Sequence, residues 1–146
     1  MDPRILAALG RSQVIDFTTT GRKSGQPRRI EIFLHNLGGR LVISGLPSQE
    51  RTRAWLRNVA ANPAVTLHLK EGLAADVPAT ARVVSDPAER RQLLEGVARN
   101  WRRTDLDVMQ EHSPLIELCV PGLPGVGARG LRDRADRRSF PSARGA

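Results

Sequence analysis

Three short runs near the start of the chain fix what it can fold into. Val14–Thr20 is rich in β-branched residues. Arg29–His35 alternates, with Ile30, Ile32 and Leu34 on one face and Glu31, Phe33 and His35 on the other, and Arg40–Ser44 is again apolar. A period of two is the signature of strands with distinct faces. Gly38 and Gly39 supply the positive φ angles of a tight hairpin turn, so the second and third runs pair antiparallel. The first run ends in the segment that joins it to the second, Thr18-Thr-Thr-Gly-Arg-Lys-Ser-Gly-Gln-Pro-Arg-Arg29, and the sheet therefore presents that segment at one end.

The remaining chain continues the pattern. Residues 1–13 are a lead-in with a short helix, Asp2 as N-cap, Pro3 at the first helical position and Gly10 as stop. Ser48 is a candidate cap for a helix running to Ala61, with Trp55, Leu56, Val59 and Ala60 at helical spacing, and Asn62-Pro63 ends it. Ala64–Leu69 alternates as a strand, and Asp76–Val84 is a further strand in which Pro78 suggests an edge or a bulge. Asp86-Pro-Ala-Glu89 opens a helix to about Trp101, Asp105 opens a short one to about Glu111, and Leu115–Val120 is the last strand. Six strands joined mostly by hairpins, with flanking helices, predict a mainly β (α+β) domain over residues 14–120 whose antiparallel sheet closes as a small barrel. A ferredoxin-like arrangement competes less well, because the strands are not regularly split by helices. From residue 121 to 146 the composition turns to Pro, Gly, Arg and Ser, which predicts a disordered tail.

The joining segment carries the chemistry. Gly21 and Gly25 let the backbone turn sharply, Thr20 and Ser24 offer hydroxyls, and Arg22, Lys23, Arg28 and Arg29 supply four cationic heads. Such a turn suits phosphate or carboxylate. It is not a nucleotide P-loop, which needs Gly where this chain has Arg22 and a second Gly where it has Phe17. The net charge of +8 agrees with an anionic partner. Part of it lies in the tail, where six arginines between Arg129 and Arg144 face only Asp133 and Asp136.

Other chemistries are poorly supplied. The single Cys119 excludes an internal disulfide, and His35, His68 and His112 lie too far apart in sequence to suggest a metal site. No Ser-His-Asp or Cys-His arrangement is apparent, no secretion signal or membrane-length apolar run occurs, and the expected location is the cytoplasm. Aromatic residues make up only 3%, which argues against base stacking and hence against specific nucleic-acid binding.

Three motifs stand together in order: Thr18-Thr-Thr-Gly-Arg-Lys-Ser-Gly25 followed by Pro27-Arg28, the hairpin end Ile43-Ser-Gly45, and Trp55-Leu-Arg-Asn58 followed by Ala61-Asn-Pro63. Over residues 14 to 120 they resemble the deazaflavin-dependent nitroreductase family, split β-barrel oxidoreductases of the FMN-binding split-barrel type that use coenzyme F420. The resemblance implies that Arg22, Lys23, Ser24, Gly25 and Arg28 hold the phosphate and tail carboxylates of F420. It implies that Ser44 and Gly45 present backbone groups to the deazaflavin ring, with Trp55 and Asn58 beside it. Trp55 on an amphipathic helix serves equally well as core.

The activity implied is hydride transfer from reduced F420 to an electron-poor small molecule such as a quinone, a nitroaromatic or an activated alkene. One departure stands out: relatives that reduce nitro compounds place tyrosines around the acceptor, whereas this chain has none and carries Phe33 at a matching position of the acceptor pocket. Branches of the resemblance bind FMN or fatty acids, so an FMN-binding protein and a non-catalytic carrier of an anionic amphiphile are the alternatives. Monomer or dimer, and peripheral membrane contact through the tail, are left open.

Overall fold

The computed structural model describes residues 1–48 and 53–123. Its strands are β1 (Gln13–Thr20), β2 (Pro27–Leu37), β3 (Arg40–Ser44), β4 (Ala64–Leu69), β5 (Ala75–Val83) and β6 (Leu115–Cys119). Each pairs antiparallel with its neighbours in the order β1-β2-β3-β6-β5-β4, and β4 returns to β1, closing the barrel. The predicted barrel is the observed one. Its strands are staggered: β5 pairs with β4 over Ala75–Thr80, while its ladder to β6 begins only at Thr80. Pro78 therefore sits where β5 is bonded on one side, as its missing N–H requires.

The alternation read from sequence decides the faces. Ile15, Phe17, Leu34, Ile43, Leu67 and Ile116 point inward and are fully buried, so the barrel interior is filled with side chains. Helix α1 (Pro3–Ala8) begins at Asp2, whose Oδ1 accepts the Arg4 N–H at 2.8 Å, and Leu9 just beyond it is buried in the same core. Gln13 Nε2 donates to the Ala8 carbonyl and Asn36 Nδ2 to that of Leu9, holding this end of the chain on the barrel.

Helix α2 (Ala54–Ala61) is shorter than the helix expected from Ser48, and positions 49–52 lie outside the described residues. It buries Trp55 and Val59 against the barrel core. Helix α3 (Pro87–Trp101) starts as predicted, the Asp86 carboxylate accepting the Glu89 N–H at 2.9 Å. With α4 (Leu106–His112) it covers the outer wall, burying Leu93, Leu94, Val97 and Met109 against Val42 and Leu115.

A compact ionic cluster fixes the start of α3 to the barrel. Arg40 and Arg82, from β3 and β5, both reach Glu89 of α3 and Glu117 of β6. Burial alone would raise the Glu89 pKa, but the hydrogen bonds from Arg82 and then Arg40 hold it at about 2. Of the tail expected over residues 121–146, Pro121 to Leu123 form a turn with Leu123 packed on the core, and positions 124–146 lie outside the described residues. No helix among the described residues is long and apolar enough to cross a membrane.

Candidate active site

Residues 21–26 join β1 to β2, and Pro27 and Arg28 already belong to β2, so Arg28 stands opposite Thr19. The turn is bonded to itself. The Gly21 N–H donates to the Gln26 carbonyl and the Gly25 N–H to that of Gly21, each at 2.8 Å. Ser24 Oγ accepts from the Gln26 N–H at 3.1 Å and from Arg28 Nη2 at 3.2 Å. Gly21 is a steric necessity, since a Cβ there would lie 2.7 Å from Ser24 Oγ and 3.1 Å from the Gln26 carbonyl. Gly25 has φ +71°, the left-handed conformation that glycine adopts freely. The Lys23 and Ser24 amides donate to nothing among the described residues, which leaves two adjacent N–H groups at the tip for an anion.

Helix α2 faces this turn. Trp55 packs edge-on against Phe17 with ring centroids 6.2 Å apart, so it is both core and wall. Asn58, one helical turn on, is 3% exposed. Its Oδ1 accepts from the Arg22 N–H at 3.1 Å and from Arg22 Nη1 at 3.3 Å, and its Nδ2 donates to Thr19 Oγ1 at 3.1 Å. Between turn and helix lies an open cleft of about 340 Å³. Arg22, Lys23, Ser24 and Arg28 line one part of it, and Ile30, Ala54 and Trp55 give it an apolar part.

The structure thus brings Arg22, Lys23, Ser24, Arg28, Trp55 and Asn58 to one cleft, with Gly25 shaping the turn behind them. Thr19, Gly21, Ile30 and Ala54 also line it and were not singled out as site residues. The signal for Ile30 was present, because alternation puts it on the same face of β2 as Arg28.

Three expected residues lie elsewhere. Phe33 points to the opposite face of β2 from Ile30 and Ile32, where it meets His35 at 4.8 Å and Trp101 at 6.3 Å between ring centroids, and it does not line this cleft. Ser44 is buried and its hydroxyl donates to the Gly45 carbonyl at 3.1 Å. A Cβ at Gly45 would come within 2.7 Å of Pro114 Cγ, so packing alone already calls for glycine there.

Two of the three histidines, His35 and His68, are structural in their contacts. His35 is fully buried beside Trp101, with Asn100 Nδ2 2.9 Å from its Nδ1, and burial pushes its pKa down to about 4. His68 bridges Thr18 Oγ1 and Asp76 Oδ1, each at 2.7 Å. This hydroxyl–imidazole–carboxylate chain was not legible in the sequence, where its members are far apart. It crosses the outer wall over β1, β4 and β5, on the other face of β1 from Thr19, and Asp76 is open to solvent, so it joins three strands outside the cleft. Arg29 is on the outer wall too, donating to Asp16 at 3.0 Å.

Comparison with known protein families matches residues 4–115, about three quarters of the chain, to the F420H(2)-dependent quinone reductases. The chain belongs to that family. As a member of the F420H(2)-dependent quinone reductase family it is an F420-dependent reductase, and its cofactor is coenzyme F420. Solved structures share the fold. An F420-H2 dependent reductase, FDR-A, superposes with a TM-score of 0.57 at 22% identity, over 72% of this chain and 92% of that one. A conserved hypothetical protein from Mycobacterium tuberculosis gives 0.62 at 17%, over 87% and 91%. A putative pyridoxamine 5'-phosphate oxidase from Listeria innocua gives 0.57 at 18%, over 81% and 91%.

The residues of the cleft fit the family's cofactor on their own chemistry. F420 is anionic at its phosphodiester and oligoglutamate end and flat and apolar at its ring. The residues lining the cleft include three cations and the Ser24 hydroxyl, together with the Trp55 indole and the aliphatic Ile30 and Ala54.

Proposed function

We propose that this F420-dependent reductase passes a hydride from reduced F420 to an electron-poor small molecule, a quinone, nitroaromatic or activated alkene. The observation that carries the reading is the two-sided cleft itself, in which the self-bonded cationic turn and the Trp55 wall stand face to face. Bound F420 supplies the hydride; the chain's own residues bind, orient and exclude water.

In this reading the Lys23 and Ser24 amides, the Ser24 hydroxyl and the side chains of Arg22, Lys23 and Arg28 hold the cofactor's phosphate and carboxylates. Charge-assisted bonds of this kind are worth about 1.5–3 kcal/mol each. Because the turn is already closed on itself, little ordering cost is met at binding. Ile30, Ala54 and Trp55 give the ring an apolar face. Neither His35 nor Ser44 lines the cleft, and in this reading solvent supplies the proton that follows the hydride. The carrier alternative calls for an apolar tunnel, and the barrel interior is instead filled by Phe17, Leu34, Leu67 and their neighbours.

The test is steady-state oxidation of reduced F420 with menadione, a nitroaromatic and an activated alkene in parallel. Turnover with one class at least tenfold above the others identifies the acceptor. Absence of turnover with all three, in protein shown to bind F420, refutes the proposed acceptor chemistry.

A further inference from the structure

The three cations of the cleft are held in different ways. Arg28 is bonded within the turn, to Ser24 Oγ, whereas Arg22 is bonded across the cleft to helix α2 through Asn58. Asn58 takes both the backbone N–H and the guanidinium of Arg22 on one oxygen, which is then saturated, and spends one Nδ2 hydrogen on Thr19. It lies three residues after Trp55 on the same helix face, and both side chains line the cleft. A guanidinium tethered to Asn58 is therefore turned back from the tip of the turn toward the face of α2 that carries Trp55.

We propose that Asn58 is a positioning residue that acts through Arg22, setting its charge against the ligand at the Trp55 side of the cleft while Lys23 and Arg28 serve the tip. The inference rests on the reading that this cleft takes F420. It distinguishes cations that the sequence presents as one basic run. The physical basis is preorganisation: a long side chain fixed before binding loses less freedom when the ligand arrives.

A pair of double-mutant cycles tests it, reading the Kd for oxidised F420 by fluorescence titration and confirming folding of each variant by thermal melt. The variants are Asn58→Ala, Arg22→Ala, Lys23→Ala and the doubles Asn58→Ala/Arg22→Ala and Asn58→Ala/Lys23→Ala. Asn58→Ala is expected to weaken binding about fivefold in the parent and in the Lys23→Ala background, but less than about twofold once Arg22 is already alanine. The same penalty in all three backgrounds, or a penalty reduced equally by Lys23→Ala, would overturn the proposal, since general loosening of the turn does not single out Arg22. Should Asn58→Ala not fold, Asn58→Ser, which keeps a hydroxyl near Thr19 but is too short for Arg22, goes through the same cycles with the same expectations. Failure of the parent itself to bind F420 would refute the reading of the cleft, and the proposal with it. Binding by the parent without selective coupling to Arg22 refutes the proposal alone.

Discussion

Ser24 Oγ receives a hydrogen bond from Arg28 Nη2 at 3.2 Å, so the β2 cation of the cleft is tied to the hydroxyl at the tip of the turn that precedes it. The same oxygen would stand 2.7 Å from a Cβ at position 21. Three residues of the turn are thus mutually fitted, and their substitutions should separate binding from stability.

Gly21→Ala forces Ser24 or the Gln26 carbonyl to move, and the turn loses its closed form. We expect F420 affinity to fall by about tenfold or more, with a lower Tm. Gly25→Ala meets nothing within 4 Å but must adopt φ +71°, which costs about 1–2 kcal/mol of stability. Calorimetric Tm and titrated Kd, measured on both, should show the larger binding loss for Gly21→Ala.

Lys23→Ala and Arg28→Ala should each weaken F420 binding about tenfold, the loss of one charged contact. Binding by the parent should also fall more steeply with salt than binding by either variant. Titrations at 50 mM and 500 mM NaCl check this, and an unchanged Kd would move the anion site elsewhere.

Phe33 faces away from the cleft, so Phe33→Tyr should leave the ratio of kcat/KM between quinone and nitroaromatic unchanged within about twofold. Phe33→Ala should instead lower stability by about 1–2 kcal/mol, less than for a fully buried ring, by stripping contacts from His35 and Trp101. Steady-state kinetics beside urea unfolding separates the two effects.

Acid should destabilise the fold in two stages. The buried His35 has its pKa pushed down from 6.5 to about 4, so the unfolded chain takes up the proton first. The stability His35 gives is complete above pH 6.5 and is lost as pH falls toward 4, with a slope of at most about 1.4 kcal/mol per pH unit. Glu89, held at about 2 against an ordinary 4.5, adds a second loss from pH 4.5 downward. Urea unfolding from pH 7 to 4 should flatten in His35→Phe, a substitution that keeps a ring beside Trp101.

What the sequence disclosed follows from the range of its signals. Period two in β2 and β4 identified the inward residues, and Asp86-Pro87 with Glu89 identified the start of α3, because these are local patterns. The turn between β1 and β2 was legible for the same reason. Long-range pairings were not: nothing local joins Asn58 to Arg22 across 36 positions, or Thr18 to His68 across 50. Phe33 is instructive. Its own alternation set it opposite Ile30 and Ile32, and its assignment to the acceptor pocket rested on the family likeness rather than on any local pattern. The roles of Ser44 and Gly45 likewise rested on the likeness, and Gly45 packs against Pro114, a neighbour in space that the hairpin motif does not reveal.

The most direct test of the central claim is a parallel fluorescence titration of the purified chain with oxidised F420 and with FMN, using a long-chain fatty acid as competitor. The cationic turn facing Trp55 predicts F420 binding at micromolar Kd or tighter, FMN binding at least tenfold weaker, and no displacement by the fatty acid. Tight fatty-acid binding with no measurable F420 binding would contradict it and make the cleft a carrier's.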